Sequence, residues 1–293
     1  MLIKHWRYNM NIILGATGQI GTMLVDNLLE KGQPVKAVIR NYSKAQELKN
    51  KGVEVFITDS FEVEALKKAF HGGSSVFLLT PENRKCENFL NETQMIINNY
   101  REAILSSGIT KVVGLSSAGA QHKSETGNLV ASYMLEHAFS DLKIEQIFIR
   151  PTYYFSNWRG YLELVKEHGI LPTFFPPEME LPMIAPSDVA KFLSKVMLCE
   201  TPQEKIYEIT GPHSYSSSDI AKIFEDVLNR DVTLQQLLPE EWESTLIQAG
   251  FSTDGAEKFI LMTKAVIDGK TKYDTTNPIR FSTDFKKYLK NVI

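Results

Sequence analysis

Residues 10–28 read MNIILGATGQIGTMLVDNL, and this stretch decides the fold. Asn11–Leu14 is a short aliphatic run of the kind that forms a strand covered on both faces. Ile20, Leu24 and Leu28 then recur every four residues, which gives a helix one buried stripe. Gly15-Ala16-Thr17-Gly18-Gln19-Ile20-Gly21 joins the two. Gly15 permits a tight turn, Gly18 lets the backbone approach a diphosphate, and Gly21 lets the helix pack closely on the strand. The amides that open the helix attract phosphate. Three glycines alone are a weak signal, but a strand before and a helix after make this the turn of a dinucleotide site. Gly15, Thr17, Gly18, Gln19 and Ile20 are the expected contacts.

The pattern continues outward from that turn. Val35–Ile39, Val53–Ile57, Val76–Leu79, Val112–Leu115 and Gln146–Ile149 are further aliphatic runs, separated by helical periodicities such as Phe89, Ile96, Ile97, Tyr100 and Ile104. Repeated alternation of strand and helix predicts right-handed crossovers and a doubly wound parallel α/β sheet, the Rossmann arrangement. The rhythm breaks after Arg150. Residues 171–186 hold Pro172, Pro176, Pro177, Pro182 and Pro186 and read as an irregular loop. Ser187 reads as the cap of a helix running to about Leu198. A strand at Ile206–Ile209 and helices near Ser217–Leu228, Pro239–Ala249 and Asp254–Asp268 complete a smaller C-terminal α/β lobe. The expected division is therefore a dinucleotide-binding domain over 10–150, with 186–199 packing back onto it, and a substrate lobe over 151–293.

The 293 residues are enough for a large core without staples. A net charge of −3 with no run of like charge argues against nucleic-acid binding. No apolar run approaches a bilayer's thickness, and Met1–Asn9 lack the apolar segment of a signal peptide. The two cysteines, Cys86 and Cys199, fall in separate predicted helices without metal or redox spacing, so a reduced, cytoplasmic setting is expected and no metal site is proposed.

The end of the second strand selects the cofactor. An NAD site carries Asp or Glu there for the ribose hydroxyls. This chain reads Ala37-Val38-Ile39-Arg40-Asn41, followed by Lys44. Arg40 offers a planar donor fork to a 2′-phosphate, and NADP is expected in preference to NAD. The other reading of Arg40 is a solvated surface charge.

Together these segments resemble the NmrA-like branch of the atypical short-chain dehydrogenases/reductases, and within it the NADPH-dependent quinone reductase and azoreductase-like members. The likeness is carried by GATGQIG, VIRNYSKAQEL, VFITDSFEVEAL, VVGLSSAGA, IFIRPTYYF, IAPSDVAKFL and YEITGP, and it spans the chain from about Met10 onward. It implies Asp59 and Ser60 near the adenine, and Leu79, Thr80 and Pro81 along the ribose and pyrophosphate. It also implies Ser116 or Ser117 near the nicotinamide, with Pro151 to Phe155, Tyr153 included, in that wall. Asp59 also fits as the cap of the following helix.

Short-chain dehydrogenases carry a tyrosine and a lysine four residues apart on one helix. The corresponding stretch here is taken as Tyr133-Met134-Leu135-Glu136-His137, in which histidine replaces lysine. Tyr133 and His137 are the candidate catalytic pair, His137 also reaching the ribose. Their alternative is helix-face packing with a polar rim. A neutral imidazole supplies no permanent charge, so alcohol oxidation and sugar epimerisation are disfavoured, whereas an electrophilic quinone tolerates the change. Tyr154, Phe155, Trp158 and Phe174 are expected to line an aromatic substrate pocket, or else to form the seam between the lobes. Two functions follow: an NADPH-dependent reductase of quinone-like or other aromatic small molecules, and a non-catalytic NADP(H) sensor of the NmrA type.

Overall fold

The computed structural model describes residues 10–293; the reading of Met1–Asn9 lies outside the described residues. The first half alternates strand and helix throughout: β1 (Met10–Leu14), α1 (Gln19–Glu30), β2 (Val35–Ile39), α2 (Ala45–Asn50), β3 (Glu54–Ile57), α3 (Val63–Phe70), β4 (Gly73–Leu78), α4 (Phe89–Leu105), β5 (Lys111–Leu115), α5 (Val130–His137) and β6 (Glu145–Pro151). The second half runs β7 (Tyr153–Tyr154), α6 (Phe155–Arg159), α7 (Leu162–His168), β8 (Ile170–Thr173), β9 (Leu181–Ile184), α8 (Pro186–Met197), β10 (Ile206–Thr210), β11 (Ser214–Tyr215), α9 (Ser217–Leu228), β12 (Thr233–Gln236), α10 (Trp242–Gln248), α11 (Thr253–Ile267), β13 (Ile279–Arg280) and α12 (Phe285–Lys290).

The central sheet has eight strands in the order β13-β10-β6-β5-β4-β1-β2-β3, with every pairing parallel. The order reverses between β1 and β4, which opens a crevice at the carboxyl ends of those two strands. Alternation along β1 supplies both faces. Ile13 joins one cluster with Leu24 and Leu28 of α1 and Val189 and Leu193 of α8, while Ile12 and Leu14 join another with Phe70 of α3, Ile97 and Tyr100 of α4 and Leu135 of α5. A third cluster forms the core of the smaller lobe around Phe155, Trp158, Phe224 and Phe285.

Several expectations change. Residues 171–186 are not wholly irregular, because β8 pairs with β12 and β9 pairs with β7 and β11. These sheets have two and three strands, so Pro172 and Pro182 sit where few ladder bonds are needed. Ile206–Thr210, expected in the smaller lobe, is a strand of the central sheet beside β6. α8 begins with Pro186 at its first turn and Ala185 before it, so Ser187 lies inside the helix. Cys86 and Cys199 lie in loops just outside helices.

Candidate functional site

The glycine turn stands open at the crevice, with Thr17, Gly18 and Gln19 exposed. Gly18 N–H donates to the Gly15 carbonyl at 2.9 Å, and Thr22 Oγ1 donates to the Ala16 carbonyl at 3.2 Å. A Cβ on Gly21 would stand 2.1 Å from the Gly15 carbonyl oxygen, so only glycine permits this approach of helix to turn. Among the described residues no side chain caps α1, and its first turn has no acidic residue, which leaves the positive end of the helix dipole facing the crevice.

Arg40 is exposed at the end of β2. Close by, Tyr100 spans from α4 to the crevice. Its hydroxyl donates to the Leu79 carbonyl at 3.2 Å and lies 2.8 Å from Ser60 Oγ, which must then be the donor of that second bond. Burial pushes the Tyr100 phenol up to about 12, against the opposing pull of the Ser60 hydrogen bond and the Arg40 charge. Asp59 Oδ1 accepts the Phe61 N–H at 2.8 Å and closes the turn that precedes α3.

Beyond Leu79 and Thr80 the crevice widens into a cavity of about 680 Å³ between the carboxyl edge of the sheet and the smaller lobe. Ser116, Ser117, Tyr153, Tyr154, Trp158 and Phe174 line it, together with Phe175, Phe251 and Phe259. Among the described residues the Tyr154 hydroxyl is buried without a partner. Burial raises the pKa of both Tyr153 and Tyr154 well above the usual phenol range, and the Glu82 charge adds to the rise at Tyr154. Pro81 follows Thr80 but is not in the lining.

Phe155 does not line the cavity. It is fully buried in the lobe core, with ring centroids 5.3 Å from Phe285 and 5.8 Å from Tyr215. Tyr133 and His137 do not reach the cavity either. Their rings stack on each other at 4.0 Å, His137 Nδ1 bonds the Tyr133 carbonyl at 2.8 Å, and the imidazole is exposed. The stripe that faces the cavity lies one residue earlier: Asn128, from the short 3-10 turn before α5, and Ser132. One residue is about 100° of helix rotation, enough to turn a side chain from cavity to solvent. Asn128 Oδ1 is buried with no partner among the described residues. Gly127 holds it there: its φ is +59°, and a Cβ would stand 1.9 Å from the Lys258 carbonyl oxygen of α11.

One turn beyond Ser132, Glu136 enters a buried ionic network. Its Oε1 accepts from Ser116 Oγ at 2.5 Å and from Arg150 Nε at 2.8 Å, while Oε2 accepts from the guanidinium at 2.7 Å. Arg150 also donates to Asp274 Oδ2 at 2.9 Å, and Glu208 accepts the amides of Asp274 and Thr275. Ser116 is thereby fixed at the end of β5, its only hydroxyl proton committed to Glu136. Sequence reading missed Asn128, Ser132, Glu136 and Arg150. The available signal was the i, i+4, i+8 stripe, and an arginine inside the otherwise apolar run Ile147–Pro151.

The sequence model of the NmrA-like family matches residues 10–287. The chain belongs to the NmrA-like family. Among its relatives are the NAD(P)H azoreductase of Xenophilus azovorans, 24% identical over 82% of both chains, and quinone oxidoreductase 2 of Escherichia coli, 22% identical over 82% of both. A crystal structure of the triphenylmethane reductase of Citrobacter sp. complexed with NADP(H) superposes with a TM-score of 0.82 at 23% identity, covering 97% of this chain and 100% of that one. The NADPH-dependent quinone oxidoreductase of E. coli gives 0.76 at 21% identity over 97% and 99%. These likenesses establish the NmrA-like fold over nearly the whole chain. Among the described residues no group of three or more His, Cys, Asp or Glu gathers as a metal site, and no helix is long and apolar enough to cross a membrane.

Proposed function

We propose that this protein is an NADPH-dependent reductase of quinone-like and related flat aromatic acceptors. The observation that carries the reading is the continuity of an uncapped helix N-terminus, through Leu79 and Thr80, with a large aromatic-walled cavity. The names of the relatives, an azoreductase and a quinone oxidoreductase, support it.

The residues present fit the cofactor. The turn at Gly15, Thr17, Gly18, Gln19 and Ile20 receives the pyrophosphate on backbone amides. Arg40 recognises the 2′-phosphate, while Asp59 and Ser60 border the adenine. Leu79, Thr80 and Pro81 follow the ribose, and Ser116 and Tyr153 meet the nicotinamide end. The unpartnered oxygens of Asn128 and Tyr154 supply further polar contacts at that end, taking the role expected of His137. When bound, NADPH supplies a hydride.

The chain's own part is to bind, orient and exclude. Tyr154, Trp158 and Phe174 offer aromatic faces to a flat acceptor. Two buried phenols with raised pKa are poor acids, so the proton that completes the hydroquinone comes from water at the exposed rim around Asn83 and Arg84. Charge balances: the quinone gains a hydride and one proton.

The deciding experiment compares thermal stabilisation by NADPH and NADH, then follows NADPH oxidation with a panel of quinones, azo dyes and aldehydes. Ligand at 100 times its Kd adds about 2.7 kcal/mol of stability. NADPH is expected to stabilise more than NADH, and Arg40→Ala to shrink the difference by about tenfold in affinity. Cofactor binding without turnover of any acceptor ends the reductase reading and leaves a sensor.

A further inference from the structure

The cavity has an electrical polarity of its own, and it comes from the segment between β4 and α4. Arg84 lines the cavity and is solvent-exposed. Its backbone is tied down: Ser252 N–H donates to the Arg84 carbonyl at 2.9 Å, Ser252 Oγ donates to the Cys86 carbonyl at 2.5 Å, and Phe89 N–H donates to Asp254 Oδ2 at 2.8 Å. Gly255 lets the two segments touch, since a Cβ there would stand 2.5 Å from the Arg84 carbonyl oxygen. The guanidinium lies 5.2 Å from the centroid of the Phe251 ring, itself part of the cavity wall. This contact holds the cation over the Phe251 ring, and its N–H donors can still bind an anion.

The other charges lining the cavity are placed differently. Lys258 is engaged by Asp254 at 3.2 Å and Glu257 at 3.4 Å. Glu82 is felt by Tyr154, whose pKa its charge raises. Arg84 is felt by Tyr161, also in the lining, whose pKa its charge lowers against the rise from burial. Among the described residues no carboxylate is paired with Arg84, so it is the cation of this cavity whose charge remains unspent.

We infer that Arg84 selects acceptors carrying an anionic substituent, a sulfonate or carboxylate on the aromatic ring, and holds that group between Phe251 and Tyr161 while the ring enters the aromatic part of the cavity. The inference rests on the reductase reading for its setting, but its test does not depend on turnover. Arg84 acts as a specificity residue at the rim, binding the substituent of the acceptor and donating no proton to it.

The probes are a naphthoquinone sulfonate and the unsubstituted naphthoquinone, measured by steady-state kinetics and by calorimetry on protein loaded with NADP+. In the wild type, KM and Kd for the sulfonate are expected to lie about threefold to tenfold below those of the neutral ring. Arg84→Ala and Arg84→Gln bring the ratio of the two probes to about one. Arg84→Lys keeps part of it, because the charge survives without the fork. Added salt narrows the ratio in the wild type and leaves it flat in Arg84→Ala. A wild-type ratio near one, or a ratio that survives Arg84→Ala, overturns the inference. If neither quinone is reduced but sulfonate binding still weakens in Arg84→Ala, the inference stands and the reductase reading falls.

Discussion

At Gly21 the main chain of the phosphate turn occupies the space a methyl group would need. A Cβ would meet the Gly15 carbonyl oxygen at 2.1 Å and Ala16 Cα at 2.9 Å, both backbone atoms that cannot rotate away. Gly21→Ala is therefore expected to displace the turn, cost about 1–3 kcal/mol of stability, and weaken NADPH binding more than tenfold by calorimetry; binding unchanged would show that the turn does not hold the phosphates. Tyr100 carries a different prediction. Its phenol is held near 12 in the fold, against about 10 in an unfolded chain. The unfolded state therefore loses its proton first, and stability falls as pH rises through that window, by about 1.4 kcal/mol per pH unit from this residue. Tyr153 and Tyr154 act in the same direction. Urea midpoints taken at several alkaline pH values should decline less steeply in Tyr100→Phe, and equal slopes would refute the assignment. At this scale the sequence disclosed what depends on backbone, the place of the glycine turn between β1 and α1 and of Arg40 just after β2, while their part in holding a cofactor belongs to the proposal. It misled at Tyr133 and His137, because a helix shifted by one residue keeps its spacing while turning away from the site.

Between elements, the joint that matters is Arg150. It ties the end of β6 to Glu136 of α5, and through Glu136 to Ser116 at the end of β5. Removing the cation leaves a carboxylate buried without its counter-charge, so Arg150→Met is expected to cost about 3–5 kcal/mol in denaturant unfolding. Asp274, whose side chain is 57% exposed, is a solvated partner of the same arginine, and Asp274→Asn should cost under about 1 kcal/mol. Equal losses in the two variants would contradict this ordering. The six strands of the first half were legible because each is an aliphatic run bounded by turn residues. β8 and β9 were not, since Pro172 and Pro182 argue against a strand wherever a full ladder must form, and here the partners are short. The start of α8 was misplaced by two residues, with Ala185 rather than Ser187 at the cap, for a related reason: Pro186 opens the helix through its fixed φ, so no side-chain cap is required.

Across the molecule, the wall of the cavity depends on residues far from the cofactor turn. Phe285 of α12 is fully buried against Phe155, Phe224 and Tyr288. Phe285→Ala should cost about 3–5 kcal/mol and impair quinone reduction more than NADPH binding. Loss of both in proportion would show that lobe and sheet melt as one unit. The division into two consecutive domains did not foresee how the chain closes its sheet. β10 and β13 come from beyond residue 200, yet they extend the sheet from β6, and Arg280 pairs with Thr210 at its outer edge. Protein synthesis inherits a constraint from this threading. A nascent chain that has emerged only through Pro151 presents β6 as an open edge with nothing beside it, a template for pairing with other nascent chains. At about 5–20 residues per second, that edge stays uncovered for several seconds while ribosomes translate the remaining segment, and it is there that a chaperone would be needed.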